Sequence, residues 1–257
     1  MNDEFSSVVV ELSKLTEGDC AVILIGSAAR GLRTENSDID ILFVAPEKVS
    51  MIPVISGYHL RFSTEADFLR RLNAGEDFES WCLRYGVTLL DRGAWERLKA
   101  SSADVWPRWE FKVVHGIRRL FLASQLSKMG DDLAAREELV FVLGHIARGL
   151  LLKKGTFPLS RPELAAQVKE IGYPQLAALH ERLRTAKSPS GTDLALGLRY
   201  SKKLLVHLDR TTYRKIALDY VKMARGKDAK RAQMRAARNG RASRPTSLPL
   251  ISPASRQ

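Results

Sequence analysis

Gly26-Ser27-Ala28-Ala29-Arg30-Gly31 and Ser37-Asp38-Ile39-Asp40-Ile41 are the two segments whose residue types and spacing can do chemistry. Gly26 lets the backbone turn tightly and approach a ligand. Ser27 stands where a helix starts, so its hydroxyl and the free amides of the first turn converge on one point, an arrangement suited to phosphate. Asp38 and Asp40 are two apart on an expected strand, so both carboxylates project from one face. Such a pair is repulsive unless a cation lies between them. Oxygen ligands favour Mg²⁺, with Mn²⁺ as its substitute, and the ion completes its shell with water and substrate phosphates. A phosphate cradle beside a two-carboxylate cation site implies chemistry on a nucleoside triphosphate.

Local patterning supplies the elements that would hold these residues. Cys20–Ile25 is an unbroken apolar run of strand length, and Asp38–Ala45 and Tyr58–Phe62 read as the next two strands. An amphipathic helix over Phe5–Leu15 precedes them. Thr64 is an N-cap with Glu65 and Asp67 in the first turn of a helix over Ala66–Leu72. A second helix over Phe78–Tyr85 ends at Gly86, and Val87–Leu90 is a short last strand. From Trp106 the chain shows only helical spacing: Phe111–Met129, Leu133–Lys154, Glu163–Ile171, Gln175–Thr185 and Thr192–Leu208, the last running on toward Met223. Five antiparallel helices in a bundle are the economical arrangement. The expected fold class is α+β: a small mixed-sheet domain over 1–103, an all-α antiparallel helical bundle over 104–223, and a basic, disordered tail over 224–257.

At Gly-Ser-Ala-Ala-Arg-Gly, with six residues before Asp-Ile-Asp, the chain resembles the DNA polymerase β-like nucleotidyltransferase superfamily, and within it the minimal nucleotidyltransferases. The helices that follow resemble the HEPN-type bundles that accompany such enzymes. The resemblance implies a metal-dependent nucleotidyltransferase. It would move a nucleoside monophosphate, AMP by default, from NTP to a hydroxyl of a protein or small-molecule acceptor and release pyrophosphate. Asp38 and Asp40 would be the catalytic metal ligands in a two-metal clamp. Gly26 and Ser27 would hold the β and γ phosphates. Arg30 either neutralises phosphate charge or pairs with Asp38 or Glu35.

One departure from the superfamily pattern stands out. A third carboxylate is usual on the next strand, but Tyr58–Phe62 offers His59 and Arg61 and no acid, and Glu65 and Asp67 lie past its end. The alternative reading is therefore a catalytically weak or inactive nucleotide-binding module, antitoxin-like, acting through a partner protein or nucleic acid. In some aminoglycoside-modifying relatives a bundle glutamate serves as base, which draws attention to Glu137 and Glu138, although a solvated helix face explains them as well. Arg108 and His115 have the spacing of a HEPN ribonuclease pair, a chance-level match in an Arg-rich chain, and no ribonuclease is expected. Trp81, Trp95, Trp106 and Trp109 are expected to pack the two domains together.

Charge locates the remaining partner signal. The net charge is +12, yet from Lys222 onward ten basic residues face Asp228 alone, so the tail carries +9 of it. Contact of that tail with nucleic acid would be electrostatic and sequence-tolerant, since no aromatic residue follows Tyr220. No stretch reaches the ~20 apolar residues of a membrane helix, and the N-terminus lacks the order of a secretion signal. Two cysteines make no disulfide framework. These features point to a cytoplasmic protein with no membrane partner.

Overall fold

The computed structural model describes residues 3–33, 38–49, 51, 53–102, 105–186, 188 and 190–222. The tail expected over 224–257 lies outside them, as do Glu35 and Ser37. The chain divides into two compact units at Tyr213 and Arg214, so the α/β elements and the helices that follow them belong to one.

In chain order the elements are α1 (Asp3–Ser13), β1 (Ala21–Ile25), α2 (Gly26–Ala29), β2 (Ile39–Ala45), β3 (Tyr58–Thr64), α3 (Glu65–Ala74), α4 (Asp77–Tyr85), β4 (Val87–Asp91) and α5 (Ala94–Ser101). They are followed by α6 (Trp109–Lys128), α7 (Asp132–Lys153), α8 (Leu164–Glu170), α9 (Pro174–Thr185) and α10 (Gly191–Leu208). The four strands form one mixed sheet in the order β3-β2-β1-β4. β1 runs antiparallel to both neighbours, whereas β2 and β3 are parallel. No helix among the described residues is long and apolar enough to cross a membrane.

β1 and β2 read as near-continuous apolar runs because both faces of the sheet are covered. On one face Val22, Leu24, Ile39, Ile41 and Phe43 pack against Val8, Val9 and Leu12 of α1. On the other, Ile23, Ile25, Leu42 and Val44 meet Phe68 of α3, Trp81 and Cys82 of α4, and Trp95 and Leu98 of α5. Gly86 sets the seat of α4: a Cβ there would lie 2.5 Å from the Cys82 carbonyl oxygen and 2.7 Å from Ile23 Cγ2. Only a glycine lets the end of this helix approach β1 so closely.

Three expectations change. α5 is an added helix, and it carries Trp95 fully into the sheet core, edge-on to Phe68, rather than to the domain junction. Trp81 belongs to the same core. The sheet elements meet the later helices through Tyr85, whose ring packs on Phe157, and Phe157 in turn meets Trp106. Finally, α10 stops at Leu208: Asp209 adopts an extended backbone and its side chain accepts from Thr212 N at 2.9 Å. That is an N-cap, and residues 210–222 begin a new helix behind it.

Candidate functional site

The site is assembled where β1 ends and β2 begins. β1 is buried along its whole length, and its last residue, Ile25, is paired with Asp40 in the antiparallel register. Gly26 then turns the chain with φ +72°, a left-handed conformation that a side chain resists. It also lies against Asp40: an added Cβ would sit 2.6 Å from Asp40 Oδ2. The missing side chain at Gly26 is thus the space the Asp40 carboxylate occupies.

The chain passes directly into α2, a single helical turn whose start no side chain caps. Its first amides are therefore left for water or a ligand. Ser27 is half-exposed, and its carbonyl oxygen accepts from Arg30 N at 3.1 Å and Leu32 N at 2.9 Å, closing the turn.

Asp40, Leu42 and Val44 form one row of β2 by strand alternation. The two apolar members are buried under α3–α5, and Asp40 is the polar end of that row. Asp38, one alternation earlier, stands exposed just before β2 begins. The parallel register sets His59 opposite Asp40, and His59 Nδ1 lies 2.8 Å from Asp40 Oδ1. With His59 56% and Asp40 33% exposed, the pair faces solvent rather than the core. Arg61, two residues along β3, lies over the Phe78 ring of α4, 4.9 Å from its centroid.

Arg30 is not paired with Asp38 among the described residues, and Glu35 lies outside them. Its guanidinium reaches across to Glu163, with Nη2 2.8 Å from Oε1 and Nε 3.4 Å from Oε2. It also covers the Tyr85 ring at 5.0 Å. Glu163 accepts from Ser160 Oγ at 2.5 Å and Ser160 N at 3.1 Å as well. The Arg30 hydrogen bond, joined by those from Ser160, holds the Glu163 carboxyl below its usual range. The turn that ends at Arg30 is thereby clasped to the segment leading into α8.

The two acids in the first turn of α3 are matched with cations. Glu65 is held by Arg97 at 2.7 Å and Asp67 by Arg70 at 2.9 Å. Of the bundle glutamates, Glu138 is bound by Arg119 at 2.7 Å, and Glu137 is an exposed neighbour of Arg136. Both are helix-face ion pairs. His115 stacks on His145 with ring centroids 5.5 Å apart, while Arg108 lies over Phe111.

Sequence reasoning missed Asp77. It opens α4, is buried, and lies between Lys112 of α6 and Arg148 of α7, the latter at 3.6 Å. Burial pushes its carboxyl up, but the Lys112 and Arg148 charges outweigh that and leave it below the ordinary value. Burial also holds the neighbouring His145 imidazole down at about 3, so that ring is neutral. An acid in the first turn of a helix reads locally as a cap, and nothing in that reading signals burial.

Gly26→Ala is expected to destabilise the protein by about 1–3 kcal/mol, the range for a strained backbone position, with the contact to Asp40 adding to the dihedral cost. Pairing it with Asp40→Ala relieves the contact but not the strain, so the double variant should regain part of the lost thermal stability. A Gly26→Ala protein melting with the wild type would show that the Gly26–Asp40 approach is not tight.

Residues 3–112 match the family model described as nucleotidyltransferase domain. Among solved structures the chain is similar to a nucleotidyltransferase-like protein from Exiguobacterium sibiricum 255-15. The two are 18% identical over 85% of this chain and 79% of that one, with a TM-score of 0.42. No curated protein matches the chain.

Proposed function

We propose, from the match of residues 3–112 to the nucleotidyltransferase domain model, that the protein transfers a nucleoside monophosphate, AMP by default, from NTP to a hydroxyl of a protein or small-molecule acceptor. The bond formed is from the acceptor oxygen to the α-phosphorus. The bond broken is from that phosphorus to the bridging oxygen, so pyrophosphate leaves with the electron pair and the hydroxyl proton is released.

The observation that carries this reading is the Gly26–Asp40 approach. It puts a tight turn with no side-chain cap against an acidic strand end. Asp40 Oδ2, facing the space a Cβ would fill, and the exposed Asp38 suit a hard divalent cation, Mg²⁺ or Mn²⁺. Such an ion, when bound, neutralises the triphosphate and stabilises the charge that develops on the leaving oxygens. Gly26 and Ser27 bind the β and γ phosphates through the first amides of α2. Arg30, at the end of that turn, would add a guanidinium to the same anionic group by leaving Glu163. The site is completed by the helical domain over 104–223, facing the nucleotidyltransferase domain over 1–103. The protein works in the cytoplasm, where free, buried Cys20 and Cys82 stay reduced. The basic segment from Lys222 adds charge-based contact with nucleic acid.

The second reading, a nucleotide-binding module without turnover, is favoured by one observation. Among the described residues no group of three His, Cys, Asp or Glu side chains is placed to hold a metal ion. One experiment separates the two. Cell lysate is incubated with each NTP labelled at the α-phosphate, with Mg²⁺ or Mn²⁺, and with wild type or the Asp38→Ala/Asp40→Ala double variant. Transfer predicts label on a protein or small-molecule fraction with wild type alone. Binding of NTP with no label from any of the four nucleotides would establish the module instead.

A further inference from the structure

Among the described residues, Arg30 has an acidic partner 133 positions away in sequence. Glu163 takes the side-on fork of the guanidinium, with Nη2 2.8 Å from Oε1 and Nε 3.4 Å from Oε2, and the Tyr85 ring lies 5.0 Å from the same group. Planar two-point contact is how an arginine grips a carboxylate, and equally how it grips a phosphate. One fork cannot serve both. With Gly26 and Ser27 on the β and γ phosphates, a second anion comes to lie beside the same side chain.

The two ends of the pair lose different things when it opens. Glu163 keeps the hydrogen bonds donated by Ser160 Oγ at 2.5 Å and Ser160 N at 3.1 Å. The segment before it is tied independently of Arg30. Leu159 N donates to Gln167 Oε1 at 2.8 Å, and Gln167 Nε2 donates to the Phe157 carbonyl at 3.0 Å. Arg148 Nη2 donates to the Leu159 carbonyl at 3.3 Å. Arg30 needs an anion, and its side chain is 31% exposed, so a triphosphate can reach it. We propose, on the nucleotidyltransferase reading of the Gly26–Ser27 turn, that Glu163 competes with the triphosphate for Arg30, so that this ion pair sets how tightly nucleotide binds. Linkage is reciprocal: nucleotide that takes Arg30 also releases the tie between α2 and the segment leading into α8.

The test measures affinity rather than turnover. Calorimetry on the full-length chain gives Kd for α,β-methylene-ATP with Mg²⁺, and for inorganic tripolyphosphate with Mg²⁺ as a probe without a base. The proteins are wild type, Glu163→Gln, Glu163→Asp, Arg30→Met and the Arg30→Met/Glu163→Gln double variant. Both Glu163 variants should bind about two- to fivefold tighter than wild type, the range that a partly exposed ion pair supports. Arg30→Met should bind more weakly, and in its background Glu163→Gln should give less than half of that gain. Glu163→Asp keeps the charge and only draws it back from Arg30, so it decides alone if the amide variant does not fold. An equal gain from Glu163→Gln in both backgrounds, or no gain from Glu163→Asp, would mean plain charge repulsion and overturn the proposal. Weaker binding by the Glu163 variants would overturn it too, because Glu163 would then hold Arg30 in place for the phosphate. Arg30→Met binding like the wild type would do the same. In each of these cases nucleotide is still bound and the transferase reading stands. If the wild type binds neither probe, the proposal and the reading of the turn fail together.

Discussion

Asp40→Asn should reduce nucleotidyl transfer about 1,000-fold or more while leaving the melting temperature close to that of the wild type. The two halves of this expectation have separate causes. Asp40 is the carboxylate that Gly26 is shaped around, and on the proposed reading replacing it by an amide removes the charge that would hold a cation. The charge stabilisation a metal supplies is several kcal/mol, and each ~1.4 kcal/mol is a decade in rate. Stability, by contrast, is little affected. The side chain is a third exposed, the amide has the same shape, and its oxygen still meets His59. A variant with wild-type turnover, assayed as pyrophosphate released per chain, would remove Asp40 from the chemistry. A variant that melts far below the wild type would show that the carboxylate serves the fold.

The largest effect on stability is expected elsewhere. Asp77→Ala should destabilise the protein by about 3–5 kcal/mol, the range for removing one partner of a buried ion pair. Asp77 is 6% exposed and faces both Lys112 and Arg148. Its loss strands two cations near each other in a place that water reaches poorly. Because it opens α4 while its partners sit on α6 and α7, the loss falls on the seam between sheet layer and helices. The change corresponds to a fall in Tm of roughly 10 °C in a chain of this size. Adding Arg148→Met to Asp77→Ala should recover part of the loss, since one stranded charge is removed and its stem volume retained. A single variant as stable as the wild type would mean that water enters the seam and the pair is worth little.

What could be read from the sequence is what local chemistry dictates. Thr64 caps α3 by accepting from Asp67 N at 3.0 Å, and Asp131 caps α7 by accepting from Ala134 N at 3.1 Å. The first was legible as a small polar residue ahead of apolar periodicity. β1, the Gly26 turn and the alternation of Asp40 with Leu42 and Val44 were legible for the same reason.

What was not legible is what depends on partners distant in sequence. Arg30 finds Glu163, 133 residues away, and no pattern around either residue announces the other. That β3 lies parallel to β2 is what brings His59 to Asp40. Alternation within β3 does not encode this. α5 was overlooked because eight residues after Gly93 are too few to show a period. The end of α10 was overlooked because Ile216, Leu218 and Val221 continue an apolar rhythm past the Asp209 cap.

The shared space of Gly26 and Asp40 makes the two positions a single mutational unit. A side chain at position 26 forces the carboxylate at 40 to turn away, because the Cβ and Oδ2 would otherwise lie 2.6 Å apart. A lineage or a laboratory library that fills position 26 therefore keeps the charge at position 40 but gives up its placement beside the turn.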